Sequence, residues 1–198
     1  VGLSVIVYWV FFVEPYGYRL REREIAVPFP GPKELTILHI TDLHFIPKRR
    51  RLLAFLKSLH GVKADLVVHT GDFIDEPVDL ALLCDGLAGI QGRCGTFAVF
   101  GNHDYYRYRS IDPLVHPFVE RYNAKQFRDI RIVRSALEEI GIRILSNTSC
   151  VTECNGFPIR IVGIDDPFMG CDDVEEAFSE VGEEETVLGA VGRMQIDA

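Results

Sequence analysis

Positive charge is scarce in this chain of 198 residues, which has 21 Lys and Arg against 29 Asp and Glu and a formal net charge of -8. A general nucleic-acid binder needs a basic face, because much of its affinity comes from releasing counterions from the phosphates. The acidic balance therefore argues against a nucleic-acid partner. It is compatible with a site that binds metal ions.

The sequence also lacks a cysteine framework. Its five cysteines are odd in number and scattered, and no two of them form a Cys-x-x-Cys pair. Neither a set of disulfides nor a zinc knuckle is indicated, so scattered reduced thiols are expected. Cys150 and Cys154 could form a local metal clip, although two unrelated cysteines beside a hairpin turn is the simpler interpretation.

A complete membrane span is missing as well. Residues 1–13 (VGLSVIVYWVFFV) carry no charge, but a spanning helix needs about 20 apolar residues. The aromatic side chains in this run favour the end of a longer anchor over a signal-peptide core or a buried strand. We therefore predict a membrane-segment remnant at residues 1–16 and a linker, proline-rich at its end, at residues 17–33, and leave the side of the membrane open.

From residue 34 onward, short apolar runs alternate with helical patterns. The first three strands are predicted at residues 35–40, 65–70 and 96–100, and helices at residues 49–60, 78–90 and 131–140. This alternation is typical of an α/β fold with a parallel sheet. Later strands are predicted at residues 142–145, 149–152, 158–164 and 185–191, with a hairpin turn at Asn155-Gly156 and one more helix in the acidic segment 172–185.

Each of the first three predicted strands ends in a polar cluster. The clusters read TDLH at residues 41–44, GDFID at residues 71–75 and GNHD at residues 101–104. The carboxyl ends of parallel strands meet at one edge of the sheet, where ligands bind in open α/β folds. Carboxylates, imidazoles and a carboxamide in this arrangement suit divalent metal ions. The sequence therefore predicts a metal site at this edge.

In these motifs the chain resembles the calcineurin-like metallophosphoesterases, whose pattern D-x-H, G-D-x-x-D and G-N-H-D/E is present here as DLH, GDFID and GNHD. The phrases HITDLH and VGIDD, with the apolar start, resemble the bacterial membrane-attached subgroup. The resemblance implies a layered β-sandwich flanked by helices (αββα). It also implies phosphoester hydrolysis with two divalent metal ions, whether Mn, Fe or Zn, and metal-bound hydroxide.

Carried over by position, the resemblance implies that Asp42 and His44 bind the first metal, Asp72 bridges both, and Asn102 binds the second.

The same resemblance implies that His103 faces the phosphoryl group as a catalytic residue, that Asp104 orients its ring, and that Asp75 is a support residue. Four other histidines, His39, His60, His69 and His116, are expected to be structural or exposed.

The family also uses later histidine ligands, but no histidine follows His116. We therefore expect a partial, C-terminally incomplete domain at residues 34–191, a tail outside the family pattern at residues 192–198, and a weakly held second ion. A fragment or a frame-disrupted enzyme would account for this pattern. The alternative is an inactive metal-binding fragment or pseudoenzyme, whereas a nuclease is disfavoured by the acidic charge.

The membrane-attached relatives imply a lipid-linked or nucleotide diphosphate substrate and a location at the bacterial inner (cytoplasmic) membrane.

Overall fold

The computed structural model of the chain describes residues 5, 17–26, 34–108, 127–182 and 187–191. Apart from residue 5, the predicted membrane remnant lies outside the described residues, as do the second part of the linker, His116 and the tail. The described part of the linker, residues 17–26, has no regular secondary structure.

A parallel sheet forms the first layer of the fold. Its strands lie in the order β1 (Ile37–Ile40), β2 (Ala64–Thr70), β3 (Gly92–Val99) and β4 (Arg143–Ile144). The register aligns Ile40 with His69, His69 with Ala98, and Ala98 with Ile144. The predicted α/β class and parallel sheet are therefore confirmed, and the carboxyl ends of these strands share one edge.

A second sheet contains β5 (Thr148–Cys154), β6 (Phe157–Ile164) and β7 (Val187–Val191). β5 and β6 form an antiparallel hairpin, whereas β6 and β7 run parallel. The hairpin turns at Asn155 and Gly156, which have φ of 54° and 81°. Because two-residue hairpin turns favour positive φ at both positions, the Asn-Gly pair suits this turn, as predicted.

The described helices are α1 (Arg50–Ser58), α2 (Leu80–Leu87), α3 (Asn102–Tyr105), α4 (Ile130–Glu139) and α5 (Val174–Ala177), and a 3-10 turn, Leu59–Gly61, follows α1. The helix predicted across residues 172–185 is wrong in extent, because α5 has only four residues. Ala177 is its one buried side chain. A segment with so little apolar surface to bury gains too little from packing to continue as a helix.

The core lies on both faces of the first sheet, with a large cluster on each. Leu66 and Val67 of β2 are both fully buried although their side chains point to opposite faces. Val67 belongs to the cluster with helix residues Leu56 and Leu137, and Leu66 to the cluster with Ile159 of β6. The first sheet is therefore covered by helices on one face and by the second sheet on the other.

A disulfide between Cys94 of β3 and Cys154 of β5 joins the two sheets, with the Cα atoms 5.4 Å apart. The prediction that the cysteines are scattered reduced thiols is therefore wrong for this pair. The two residues are 60 positions apart, so spacing along the chain does not show that the sheets bring them together. Among the described residues, Cys84, Cys150 and Cys171 are free.

Removing this disulfide with the double substitution Cys94→Ser and Cys154→Ser is expected to lower the free energy of unfolding by about 2 to 4 kcal/mol, mainly because the unfolded chain gains freedom. Urea unfolding without reductant measures the change, and Cys171→Ser is the matched control at a free cysteine. The same loss should appear when dithiothreitol is added to the unsubstituted protein. Equal stability in all these samples would show that the bond contributes nothing.

Candidate metal centre

The loops after β1 and β2 lie side by side at the carboxyl edge of the first sheet. The N–H of Asp42 donates to the carbonyl of Gly71 at 3.2 Å, and that of His44 donates to the carbonyl of Asp72 at 2.8 Å. Asp42, His44 and Asp72 have φ of 52°, 43° and 55°, which is uncommon for residues other than glycine. Local backbone strain of this kind is concentrated at functional sites.

The loop after β3 approaches the same place through two glycines. A Cβ on Gly71, which has φ of 86°, would lie 2.5 Å from the backbone nitrogen of Gly101, so no side chain fits there. Their close approach brings α3 against the loop after β2. The N–H of His103 donates to Oδ1 of Asp72 at 3.0 Å. The three motifs predicted from the sequence therefore meet at one edge of the sheet.

His44 faces two of the predicted ligands. Its Nε2 lies 3.8 Å from Oδ1 of Asp42 and 3.6 Å from Oδ2 of Asp72. These separations are longer than a hydrogen bond. One ligand atom each from His44, Asp72 and His103 also lies within 4.8 Å of the others. This donor set, imidazole with carboxylate, fits a divalent cation such as Mn²⁺, Fe²⁺ or Zn²⁺.

Asp75 lies between the two imidazoles. Its Oδ1 is 2.7 Å from Nδ1 of His103, and its Oδ2 is 3.3 Å from Nδ1 of His44. The two imidazole rings pack edge to face, with their centroids 4.4 Å apart. A carboxylate that accepts from Nδ1 fixes the tautomer and leaves Nε2 for a metal or substrate. Asp75 therefore orients the ring of His103 and lies beside the ring of His44.

The charges in the site act on these groups. Burial opposes ionisation of Asp75, but the hydrogen bond from His103 and the nearby His44 imidazole outweigh it and lower the pKa of the carboxyl. Burial likewise opposes protonation of His44, yet the nearby carboxylates of Asp75, Asp72 and Asp42 raise its pKa. The site therefore favours positive charge among its carboxylates, as a cation site does.

Asp104 has a different position from the one expected, since it is Asp75 that contacts the His103 ring. Asp104 is fully buried, and its carboxylate accepts from the backbone N–H groups of Phe73 at 2.8 Å, Ile74 at 3.2 Å and Gly101 at 3.0 Å. Burial, together with the nearby charge of Asp72, raises its pKa to about 7 despite these bonds. Asp104 thus joins the loops after β2 and β3. Gly101 is the residue before α3, so its N–H bond to Asp104 ties this carboxylate to the start of the helix, a contact that the sequence interpretation missed.

Asn102 begins α3 and is largely buried. Its Nδ2 donates to the hydroxyl of Tyr108 at 2.7 Å, which orients the carboxamide and leaves Oδ1 as the ligand atom. The Tyr108 ring also packs against the ring of His103, with centroids 4.4 Å apart. Tyr108 was not singled out by its sequence context.

The second sheet contributes two buried carboxylates that follow β6, Asp165 and Asp166. The hydroxyl of Tyr105 in α3 donates to Oδ2 of Asp165 at 2.6 Å. Oδ1 of Asn147 accepts from the N–H of Asp165 at 2.9 Å and from that of Asp173 at 3.0 Å. These bonds hold the end of β6 next to α3. The VGIDD phrase marks these carboxylates in the sequence but does not give them a role.

The remaining described histidines do not join this cluster. Nε2 of His39 is 2.7 Å from the Thr70 hydroxyl, and that of His60 is 2.9 Å from the Gly86 carbonyl. His69 is buried, and burial, followed by the charge of His39, lowers its pKa to about 3. A second acidic and thiol cluster of Asp65, Cys94 and Cys154 offers no thiolate, because its cysteines are bonded to each other.

Within the described ranges, no helix is long and apolar enough to cross a membrane.

Comparison with known proteins identifies the family to which the chain is similar. Residues 35–180 match the family described as calcineurin-like phosphoesterase. The chain is 32% identical over 142 residues to the uncharacterised metallophosphoesterase YkoQ of Bacillus subtilis (strain 168), an alignment covering 69% of this chain and 45% of that protein. It is 32% identical over 112 residues to the UDP-2,3-diacylglucosamine pyrophosphatase LpxG of Chlamydia muridarum (strain MoPn / Nigg), covering 52% and 33%.

A third relative is a bovine (Bos taurus) protein named transmembrane protein with metallophosphoesterase domain, which is 30% identical over 80 residues, covering 39% of this chain and 18% of that protein. The chain spans less than half the length of each of these relatives. The family match covers most of the chain and includes all three motifs of the site. The chain therefore belongs to the calcineurin-like metallophosphoesterase family.

Proposed function

We propose that this protein hydrolyses phosphoesters with the help of two divalent metal ions. The observation that carries the proposal is the convergence of Asp42, His44 and Asp72 at the carboxyl edge of the sheet, with His103 beside them. A purely structural cluster would not need His44 to face two carboxylates at separations too long for hydrogen bonds.

Four side chains would hold the metal ions. Asp42, His44 and Asp72 supply the first position, and Asp72 with Asn102 supplies the second. Two cations bound there would lower the pKa of a water molecule and neutralise the oxygens of the phosphoryl group. Imidazole nitrogen and carboxylate oxygen suit Mn²⁺, Fe²⁺ and Zn²⁺.

His103 acts on the substrate in this proposal. Asp75 accepts the hydrogen bond from its Nδ1, so Nε2 is the nitrogen that can give a proton to the departing oxygen. Packing against Tyr108 and the backbone bond to Asp72 restrict its movement. Asp104 supports this arrangement by fixing the loops after β2 and β3.

The relatives guide the choice of substrate. LpxG is named as a pyrophosphatase of a UDP-linked diacylglucosamine, and the bovine relative is named a transmembrane protein. We therefore extend the proposal to a lipid-linked or nucleotide diphosphate substrate at the bacterial inner (cytoplasmic) membrane. The acidic net charge of -8 disfavours a polynucleotide substrate.

The test is to purify the protein, remove metal with EDTA, and add Mn²⁺ while measuring bound metal and hydrolysis of bis(p-nitrophenyl) phosphate. We expect Mn²⁺ to bind, to raise the melting temperature and to restore hydrolysis that EDTA abolishes. UDP-diacylglucosamine and UDP-glucose, assayed under the same conditions, separate the lipid-linked from the soluble diphosphate substrate.

Two results would contradict the proposal. Binding of metal without hydrolysis under Mn²⁺, Fe²⁺ and Zn²⁺ would support the inactive metal-binding alternative. Absence of metal binding would overturn both readings of the site.

A further inference from the structure

Asp166 carries a buried carboxylate oxygen that has no hydrogen-bond partner among the described residues. Its side chain is fully buried, and the N–H of Met169 donates to its Oδ1 at 2.7 Å. Its Oδ2 is also buried and accepts no hydrogen bond within the part of the chain that the structure describes. A buried carboxylate oxygen without a partner is costly, and such atoms require an explanation in a ligand, an ion or a water molecule.

The charges around Asp166 point to a cation. Burial raises the pKa of this carboxyl, and the negative charges of Asp72 and Asp165 raise it further. Asp72 is itself buried and is the central predicted ligand of the metal centre. Like charges brought together in a protein interior repel strongly, and a bound cation removes that repulsion.

The backbone around Asp166 fixes its position. Its N–H donates to Oδ1 of Asp165 at 2.9 Å, and its carbonyl accepts from the N–H of Cys171 at 3.1 Å. Asp165 is in turn bonded to Tyr105 of α3, the helix that also carries Asn102 and His103. The loop after β6 is therefore tied to the helix that supplies the second metal position.

We propose that Asp166, through its Oδ2, helps to hold the cation shared by Asp72 and Asn102. This inference rests on the proposed function, because it requires the metal ions. It adds an oxygen from the loop after β6 to the position that Asp72 and Asn102 would supply. Asp166 is outside the three motifs that predicted the site.

The experiment compares Mn²⁺ binding to the EDTA-treated protein and to Asp166→Asn by isothermal titration calorimetry, with Asp172→Asn as the control. Asn keeps Oδ1 to accept from Met169, whereas Asp172 is exposed and lies in the same loop. We expect one equivalent of Mn²⁺ to bind about 10- to 100-fold more weakly to Asp166→Asn, the range found for groups that support metal ligands. The control should bind as the unsubstituted protein does.

Melting temperatures give a second readout that a structural role would not produce. In EDTA, Asp166→Asn should melt at the same temperature as the unsubstituted protein or higher, because a buried negative charge beside Asp72 is gone. When Mn²⁺ is added, the melting temperature of Asp166→Asn should rise less than that of the unsubstituted protein, because stabilisation by a ligand follows its affinity.

The two proposals fail in different ways. If the unsubstituted protein binds no Mn²⁺, the proposed function fails. If it binds Mn²⁺ and Asp166→Asn binds equally well, or if the variant melts at a lower temperature in EDTA with unchanged Mn²⁺ affinity, only the role of Asp166 is overturned.

Discussion

Replacing Asp72 with Asn is expected to remove tight Mn²⁺ binding and to lower phosphodiester hydrolysis by roughly 100-fold or more, since even supporting groups around a metal cost about 10- to 100-fold when removed. Asp72 is the one predicted ligand of both metal positions. Its carboxylate also accepts from the backbone N–H of His103, so it lies between the two loops. The substitution removes the charge that both cations need.

Asn is the sharpest replacement at this position. It has the shape of Asp, it retains an oxygen to accept from His103, and it tolerates the positive φ of 55° better than most residues. Bound Mn²⁺ and the hydrolysis rate of bis(p-nitrophenyl) phosphate measure the effect. Asp85→Asn is the control, because Asp85 is exposed on α2 and pairs with Lys57. Hydrolysis within a few-fold of the control would exclude Asp72 from the chemistry.

His103→Gln is expected to lower kcat by about 10²- to 10⁴-fold, the range for loss of a general acid, while leaving Mn²⁺ affinity unchanged. The reason is that His103 supplies a proton in the proposed function and no metal bond. His103 lies close enough to His44 and Asp72 to be a ligand, so affinity is the deciding measurement. A ligand role predicts weaker Mn²⁺ binding instead.

The leaving group separates these roles further. An alkyl phosphodiester needs protonation of its departing oxygen far more than a p-nitrophenyl ester does, so the loss in His103→Gln should be larger for the alkyl ester. His60→Gln is the matched control, since His60 contacts the Gly86 carbonyl and lies outside the metal cluster. Equal losses on both esters, with weaker Mn²⁺ binding, would assign His103 to the metal.

Short sequence segments predicted those features that depend on neighbouring residues along the chain, namely the strands, the residues at their ends and the hairpin turn. β1 and β2 are found close to their predicted positions, and the predicted strand at residues 96–100 covers the buried second half of β3, because buried apolar runs mark parallel strands. The positions of Asp42, Asp72 and Asn102 at the carboxyl edge follow from that arrangement. The Asn155-Gly156 hairpin was equally local.

Contacts between residues that are far apart in the sequence could not be predicted from the motifs. Asp75 and Asp104 are both carboxylates near His103, and only the folded loops show that Asp75 contacts the ring while Asp104 binds backbone N–H groups. Cys94 and Cys154 meet because the two sheets pack face to face. The acidic segment after residue 172 has the composition of a helix but buries little, so composition alone overestimated its length.

The bond between Cys94 and Cys154 joins the two sheets at one end of the sandwich. It lies near the start of β3 and at the end of β5, which is the edge of the sandwich opposite the metal centre. At the centre's own edge, the Tyr105 hydroxyl donates to Asp165 and joins α3 to the end of β6, and such a bond contributes about 1 kcal/mol or somewhat more when the acceptor is charged. The covalent cross-link between strands of the two sheets therefore lies at the end of the sandwich away from the metal centre.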